Sequence, residues 1–268
     1  MDISNKTALF LEKLKADSGE YRGMETAGYS LEEKKNAIRA LMNIRMPKKI
    51  PGDLVKLQDD YLQEELAAKG IVTLEDIPVI KGQEKLSLWQ GDITRLKVGA
   101  IVNAANSRML GCFVPCHRCI DNAIHSAAGM QLREECNCIM DRRRIRYGRD
   151  YEEPVGTATL TKAYNLPCQY VIHTVGPMVF GRLNDAHCQD LKNCYENVLA
   201  CCVENNIRSV AFCCISTGEF HFPEERAARI ARETVAGFLA TRGDAIDRVI
   251  FNVFKDSDRK IYEKLLGV

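Results

Sequence analysis

The stretch Ala100-Ile101-Val102-Asn103-Ala104-Ala105-Asn106 decides the fold class of this chain. It opens with a continuous apolar run, which is typical of a strand buried on both faces of a parallel sheet. Two asparagines follow, so the strand brings amide side chains to its carboxyl end. Ligands of open α/β sheets bind at that end of the strands. We therefore expect a functional site here.

A loop rich in soft metal ligands comes next, Gly111-Cys112-Phe113-Val114-Pro115-Cys116-His117-Arg118-Cys119, directly ahead of Asp121. Thiols and an imidazole at this density are the ligands that zinc prefers. The spacing differs from that of a zinc finger, which has two separated ligand pairs. Three ligands from one loop would leave a coordination position open, as a catalytic metal requires. The alternative is a loop of reduced cysteines with a surface histidine.

Strands and helices alternate from residue 85 to the end of the chain. Apolar or alternating runs predict strands at 85–90, 100–103, 170–175, 209–215 and 248–254. Helical patterns cover 120–138, 190–205, 223–239 and 258–266. This order predicts an α/β sheet with helices on both faces.

Residues 1–80 have a helical texture instead. Leucines recur at helical spacing around 9–14 and 53–68, and Ser30 with Glu33 forms a capping box ahead of another helix. This part shows no catalytic constellation. We expect a helical extension (1–80) packed on a main domain (81–268).

Composition excludes several classes of protein. Lys and Arg number 37 against 36 Asp and Glu, a net charge of +1, so bulk charge does not indicate a nucleic-acid surface. No apolar run approaches the roughly 20 residues of a membrane span, and the first residues do not lead into a signal-peptide core. Many of the 12 cysteines lie in apolar segments. Reduced cysteines in a cytoplasmic protein fit this pattern.

Three further groups are candidates for binding. Asp92 follows the first strand and suits either a helix cap or an acceptor for an adenine amino group. Asn103 and Asn106 suit ribose hydroxyls or an ordered water, although asparagine after a strand is also ordinary turn chemistry. The segment 216–220, Ser-Thr-Gly-Glu-Phe, offers backbone N–H groups near a helix start, which predicts a phosphate cradle. Its Phe220 suits stacking on a sugar or covering the core.

These motifs together resemble the macrodomain family. The resemblance rests on 91–94 (Gly-Asp-Ile-Thr), 102–106 (Val-Asn-Ala-Ala-Asn), 121–129 and 215–218 in that order, and it covers about residues 85–268. It implies a three-layer α/β/α sandwich with a central mixed sheet. It also implies binding of ADP-ribose, whose ester bonds to protein side chains many members hydrolyse.

The cysteine loop departs from the glycine-rich loop usual in hydrolytic macrodomains. With the helical extension, it resembles the zinc-dependent macrodomains of bacteria. Members of that class are found with a sirtuin-type transferase that modifies a lipoyl-carrier protein related to the glycine cleavage system. The resemblance therefore implies a zinc-dependent mono-ADP-ribosyl hydrolase that acts on a carboxylate-linked mark. No nucleic-acid or membrane partner is expected.

The resemblance also assigns roles to individual residues. It implies that adenine binds at Asp92 and the Ile93 backbone, and that the distal ribose contacts Asn103, Asn106 and Phe220. The diphosphate would be bound by Ser216, Thr217, Gly218 and Glu219.

Asp121 matches the family's catalytic acid, with Asn106 beside it. Asp121 could instead cap the following helix. Zinc would lie beside the distal ribose, and Cys112, His117 and Cys119 are the favoured ligands, with Cys116 dispensable. Two other functions stay open: a reader that binds ADP-ribose without cleaving it, and a deacetylase of O-acetyl-ADP-ribose.

Overall fold

The computed structural model describes residues 3–268, and within them no helix combines the length and apolarity needed to cross a bilayer. The α-helices are α1 (Ile3–Ser18), α2 (Leu31–Ile44), α3 (Gly52–Lys69), α4 (Ile120–Ala128), α5 (Met130–Tyr147), α6 (Asp185–Glu204), α7 (Glu224–Arg242) and α8 (Asp256–Leu266). The strands are β1 (Leu86–Gln90), β2 (Ala100–Ala105), β3 (Thr159–Lys162), β4 (Tyr170–Val175), β5 (Ser209–Phe212) and β6 (Arg248–Val253).

The six strands form one mixed sheet in the order β1-β6-β5-β2-β4-β3. All neighbours pair in parallel except β3, which runs antiparallel to β4 at one edge. Ile101 and Val102 are fully buried in β2, as a strand covered on both faces requires. The predicted three-layer α/β/α sandwich with a mixed sheet is confirmed.

The N-terminal helices have a hydrophobic cluster of their own. Phe10, Ile38 and Leu54 are buried in it, and Met130 of α5 joins it from the main domain. The capping box at Ser30 is present as predicted, with Glu33 as its partner. The main core begins at residue 77, inside the segment expected to belong to the extension.

Two predictions about elements were wrong. The helix expected over 120–138 is two helices, because Gly129 lies between them at φ +97°. The side chain of Gln58 occupies the space that a Cβ at Gly129 would need. Strand β3 was not predicted, since four residues at a sheet edge give too short a pattern to recognise.

Candidate active site

The carboxyl ends of β1, β2, β5 and β6 open onto one cavity of about 1290 Å³. Such a volume admits a nucleotide-sized ligand. The predicted site residues, all within the described chain, lie in its wall with one exception, Asn103. Those that line it are Asp92, Ile93, Asn106, Cys112, His117, Cys119, Asp121, Ser216, Thr217, Gly218, Glu219 and Phe220.

Asp121 lies in the first turn of α4 and is only 5% exposed. The side-chain amide of Asn103 donates to its Oδ1 at 2.8 Å, and that of Asn106 donates to its Oδ2 at 3.2 Å. Burial raises the pKa of Asp121 to about 6, although both amides and the nearby charge of Arg133 favour the ionised form. Cys119 occupies the N-cap position, so Asp121 is not the cap of this helix.

Asn103, which the resemblance placed at the distal ribose, is fully buried and does not line the cavity. It pairs with His173 across β2 and β4, and its Nδ2 lies 3.1 Å from His173 Nδ1. Since Nδ2 is a donor, His173 accepts at Nδ1 and carries its proton on Nε2, which lies 3.0 Å from Thr161 Oγ1. A flipped Asn103 amide would point its oxygen at the Asp121 carboxylate. His173 and Asp121 thus fix the orientation of Asn103.

His125 lies one helical turn after Asp121, with Nε2 3.5 Å from Asp121 Oδ1. It is buried, and that burial holds its pKa well below the ordinary value, so its ring is neutral. The backbone of Gly111 lies against this ring, because a Cβ there would come within 2.8 Å of it. His125 therefore packs beneath the loop.

The cysteine loop gathers three soft ligands. Ligand atoms of Cys112, His117 and Cys119 lie within 4.8 Å of one another. Cys116 stands apart, since its Sγ donates to the Asn36 carbonyl at 3.4 Å on α2. The structure thus separates one thiol from the other two.

The donor set suits a metal ion. Nδ1 of His117 is buried with no hydrogen-bond partner in the described chain, and Nε2 lies 3.7 Å from Glu219 Oε1. Burial is the main reason that the pKa of Cys119 is raised to about 12, with Cys112 and Asp121 also contributing. The raised pKa means that ionising this thiol is unfavourable without a partner. A divalent cation would favour the ionised form, because it stabilises coordinated thiolates. These three residues fit a zinc ion.

A second group, His125, Cys136 and His173, is buried beneath the site. Both ring nitrogens of His173 are already used, by Asn103 and Thr161. His173 is a core histidine whose hydrogen bonds are satisfied. This group does not fit a metal ion.

The segment 216–220 forms a tight loop after β5. Ser216 adopts a left-handed conformation at φ +65°, and Gly176 lacks the Cβ that would collide with its Oγ. Phe222 N–H donates to the Ser216 carbonyl at 2.9 Å. In the part of the chain that the structure describes, the N–H groups of Gly218, Glu219 and Phe220 donate to no other protein group. They are available to an anion.

Asp92 acts as a cap and lies in the cavity wall as well. Its Oδ1 accepts from Thr94 N–H at 3.0 Å, and its Oδ2 lies 3.4 Å from Lys69 Nζ. The pKa of Asp92 is lowered: burial opposes this, but the hydrogen bond from Thr94 and the charge of Lys69 outweigh it. Ile93 is buried beside it. Phe254, missed by the sequence analysis, lines the same cavity and is 76% exposed.

The N-terminal extension forms another wall of the cavity. Lys35 and Arg39 of α2 line it together with Glu65 and Lys69 of α3, and Lys35 pairs with Glu65 at 2.7 Å. Sequence analysis found no site residue in these helices. Charged positions on an amphipathic helix normally face solvent, so only the packing of α2 and α3 reveals their place.

Comparison with known proteins identifies the family. Residues 102–231 match the model of the Macro domain. The "Protein-ADP-ribose hydrolase" of Treponema medium is 44% identical over 269 residues, which cover 100% of each chain. This chain belongs to the macrodomain family. Among solved macrodomains, that of Trypanosoma brucei in complex with ADP-ribose is similar to it with a TM-score of 0.65 and 30% identity, over 85% of this chain and 95% of that one.

A second relative has the same name. The "Protein-ADP-ribose hydrolase" of Staphylococcus aureus strain MSSA476 is 42% identical over 236 residues, which cover 88% of this macrodomain and 85% of the relative. The two relatives match 100% and 88% of this chain, so both matches extend into the N-terminal helices, ahead of residue 102 where the Macro domain model begins.

Proposed function

We propose that this macrodomain is a protein-ADP-ribose hydrolase that releases ADP-ribose from a carboxylate side chain of a modified protein. One observation carries the proposal. A buried carboxylate, Asp121, is held by two amides at the wall of a nucleotide-sized cavity, beside three soft metal ligands. The names of the relatives from Treponema medium and Staphylococcus aureus support it.

The ligand has an orientation in this proposal. Adenine lies at Asp92 and Ile93, where Phe254 offers an exposed ring for stacking. The diphosphate accepts from the free N–H groups of segment 216–220. The distal ribose then reaches Phe220, Asn106 and Asp121, which places its ester near the cysteine loop.

Asp121 serves as the base that takes a proton from the attacking water. Its two amide donors hold both carboxylate oxygens in a fixed plane. Its raised pKa makes it a better proton acceptor than an exposed aspartate, while it stays largely ionised at neutral pH. Asn106 is itself held, because its Oδ1 accepts from Arg108 N–H at 3.0 Å and its Nδ2 also lies 3.2 Å from the Gly111 carbonyl.

Cys112, His117 and Cys119 would hold a zinc ion. When bound there, zinc would supply a Lewis acid for an ester oxygen or for a water molecule. Glu219 Oε1 lies 3.7 Å from Nε2 of His117, and with zinc bound this carboxylate would orient the ring, as second partners of metal-bound histidines do.

The identity of the modified protein follows from the resemblance to the sirtuin-linked class. We take it to be a lipoyl-carrier protein related to the glycine cleavage system, modified by a sirtuin-type transferase in the cytoplasm of a bacterium. Both the substrate and the cytoplasmic location stay predictions.

The test is hydrolysis of a carboxylate-ADP-ribosylated protein, with and without a zinc chelator. Release of ADP-ribose that stops on chelation and returns with added zinc supports the proposal. Tight binding of ADP-ribose with no release would instead make the chain a reader. Release that is unaffected by complete removal of metal would keep the hydrolase but remove zinc from it.

A further inference from the structure

The loop from Cys112 to Cys119 has little support of its own. Within the described chain, one backbone hydrogen bond closes inside it, from His117 N–H to the Val114 carbonyl at 3.2 Å. Cys116 adopts a left-handed conformation at φ +54°. Fixing the backbone of each residue costs about 1–2 kcal/mol of conformational entropy. The ligand geometry must therefore be imposed from outside the loop.

Arg39 of α2 supplies one such constraint. Its Nη2 donates to the His117 carbonyl at 2.9 Å and to Asn122 Oδ1 at 2.7 Å. The amide of Asn122 donates in turn to the Val114 carbonyl at 3.0 Å. Arg39 thus holds both ends of the turn that carries His117.

Asn43 supplies a second constraint from the same helix. It is 1% exposed, and its Oδ1 accepts from Cys116 N–H at 2.9 Å. Its Nδ2 donates to Ser126 Oγ at 2.9 Å on α4. Asn43 therefore ties Cys116, the loop residue with the left-handed conformation, to α2 and α4.

The side chains of Arg39 and Asn43 contact the backbone of the loop and not the atoms of Cys112, His117 and Cys119 that would bind the metal. Arg39 reaches the loop through the backbone carbonyl of His117, and Asn43 through the backbone N–H of Cys116. These contacts shape the loop without engaging the thiols of Cys112 and Cys119 or the imidazole of His117. This is the arrangement of positioning residues rather than of ligands.

We infer that helix α2 belongs to the metal-binding apparatus, with Arg39 and Asn43 as positioning residues that preform the zinc-binding conformation of residues 112–119. The inference rests on the proposed function, because it requires the zinc site. The N-terminal extension then has a role in metal binding, because it holds residues 112–119 in position.

The test uses the full chain with Arg39→Met and Asn43→Ala. Lys34→Met is the matched control, since it removes a cation from the same helix without touching the loop. The zinc dissociation constant is measured by competition with a chromophoric chelator. The melting temperature of the zinc-stripped protein is measured alongside. Losing a residue that orients metal ligands costs roughly 10- to 100-fold in metal affinity.

We expect a loss of that size for Arg39→Met and Asn43→Ala and no change for Lys34→Met. Without zinc, the melting temperature of Arg39→Met should match the wild type, whereas Asn43→Ala also loses its hydrogen bond to Ser126 Oγ and should melt lower. Wild-type zinc affinity in both test variants overturns the inference and leaves the zinc site intact. In Arg39→Met, a parallel loss of affinity and of zinc-free melting temperature also overturns it, since the residue would then support the whole fold. Absence of zinc binding in the wild-type chain removes the zinc site itself.

Discussion

Asn103 Nδ2 lies 2.8 Å from Asp121 Oδ1, and this contact joins the sheet core to the acid in the cavity. The same nitrogen lies 3.1 Å from His173 Nδ1, so both amide protons of Asn103 are committed. Asn103 thereby holds Asp121 from the buried side, since Asn103 itself does not line the cavity.

Asn103→Ala should lower turnover while sparing ligand binding. The change leaves Asp121 Oδ1 buried without its donor, which costs about 1–3 kcal/mol for an unsatisfied buried group. We expect roughly a 10- to 100-fold fall in the single-turnover rate. Affinity for free ADP-ribose, measured by calorimetry, should stay close to the wild type because Asn103 does not line the cavity. A loss of affinity as large as the loss of rate would contradict this role.

Asp121→Ala should separate chemistry from binding more completely. General-base assistance is worth about 100- to 10,000-fold, so residual hydrolysis should be hard to detect. The adenine and diphosphate contacts do not involve Asp121, and ADP-ribose binding should therefore survive. Near-normal hydrolysis with a lowered melting temperature would make Asp121 a structural residue.

The three expected zinc ligands should be distinguishable from the fourth candidate. Cys112→Ala, His117→Ala and Cys119→Ala should each lose zinc during purification, whereas Cys116→Ala should retain about one ion per chain. The reason is that Cys116 Sγ faces Asn36 rather than the cluster. Elemental analysis of the four variants decides the matter. An empty site in Cys116→Ala alone would reverse the assignment.

The difference between Asn103 and Asn106 shows what a sequence pattern can and cannot predict here. Asn103 was predicted as the last residue of a strand and Asn106 lies beyond it, and both were expected at the ribose. Asn103 lies inside β2, where its register opposite His173 turns it into the core, while Asn106 lies beyond the strand end and lines the cavity. The strand continues to Ala105, two residues past its predicted end, so Asn103 lies within the sheet and not at the edge of the cavity.

Apart from the short edge strand β3, the order of strands and helices was predictable because the strands are apolar or alternating runs. The wall formed by Lys35, Arg39 and Glu65 was not predictable. Those side chains lie on α2 and α3, whose apolar faces both pack on α1, and their position over the cavity depends on contacts between residues far apart in the chain. Gln58 and Met130, whose N–H donates to Gln58 Oε1 at 2.7 Å, are one such pair.

Gly218→Val should weaken ADP-ribose binding without harming the fold. A Cβ at Gly218 meets no protein atom within 4 Å, so the substitution causes no internal clash. A side chain there would crowd a phosphate held by the neighbouring N–H groups, and overpacking costs about 1–3 kcal/mol. We expect about 10-fold weaker binding or more by calorimetry. Gly237→Val in α7 is the control, because its Cβ is equally unobstructed and remote from the cavity. Equal affinity of both variants would place the diphosphate elsewhere.

His173 should make the fold sensitive to mild acid. Burial lowers the pKa of His173 to about 3, whereas an unfolded chain binds a proton at about 6.5. Between these values the unfolded state binds more protons, so the free energy of unfolding falls as the pH decreases below 6.5. One such histidine contributes roughly 1 kcal/mol between pH 7.5 and pH 5.5.

His173→Gln removes this titrating group. The free energy of unfolding, measured with urea at the two pH values, should therefore fall less in the variant than in the wild type. A chelator is present in both measurements to exclude metal release. His125, whose pKa is also lowered by burial, adds a contribution that remains in the variant. Equal falls in wild type and His173→Gln would mean that His173 is protonated in the folded protein, and the tautomer that orients Asn103 would then be wrong.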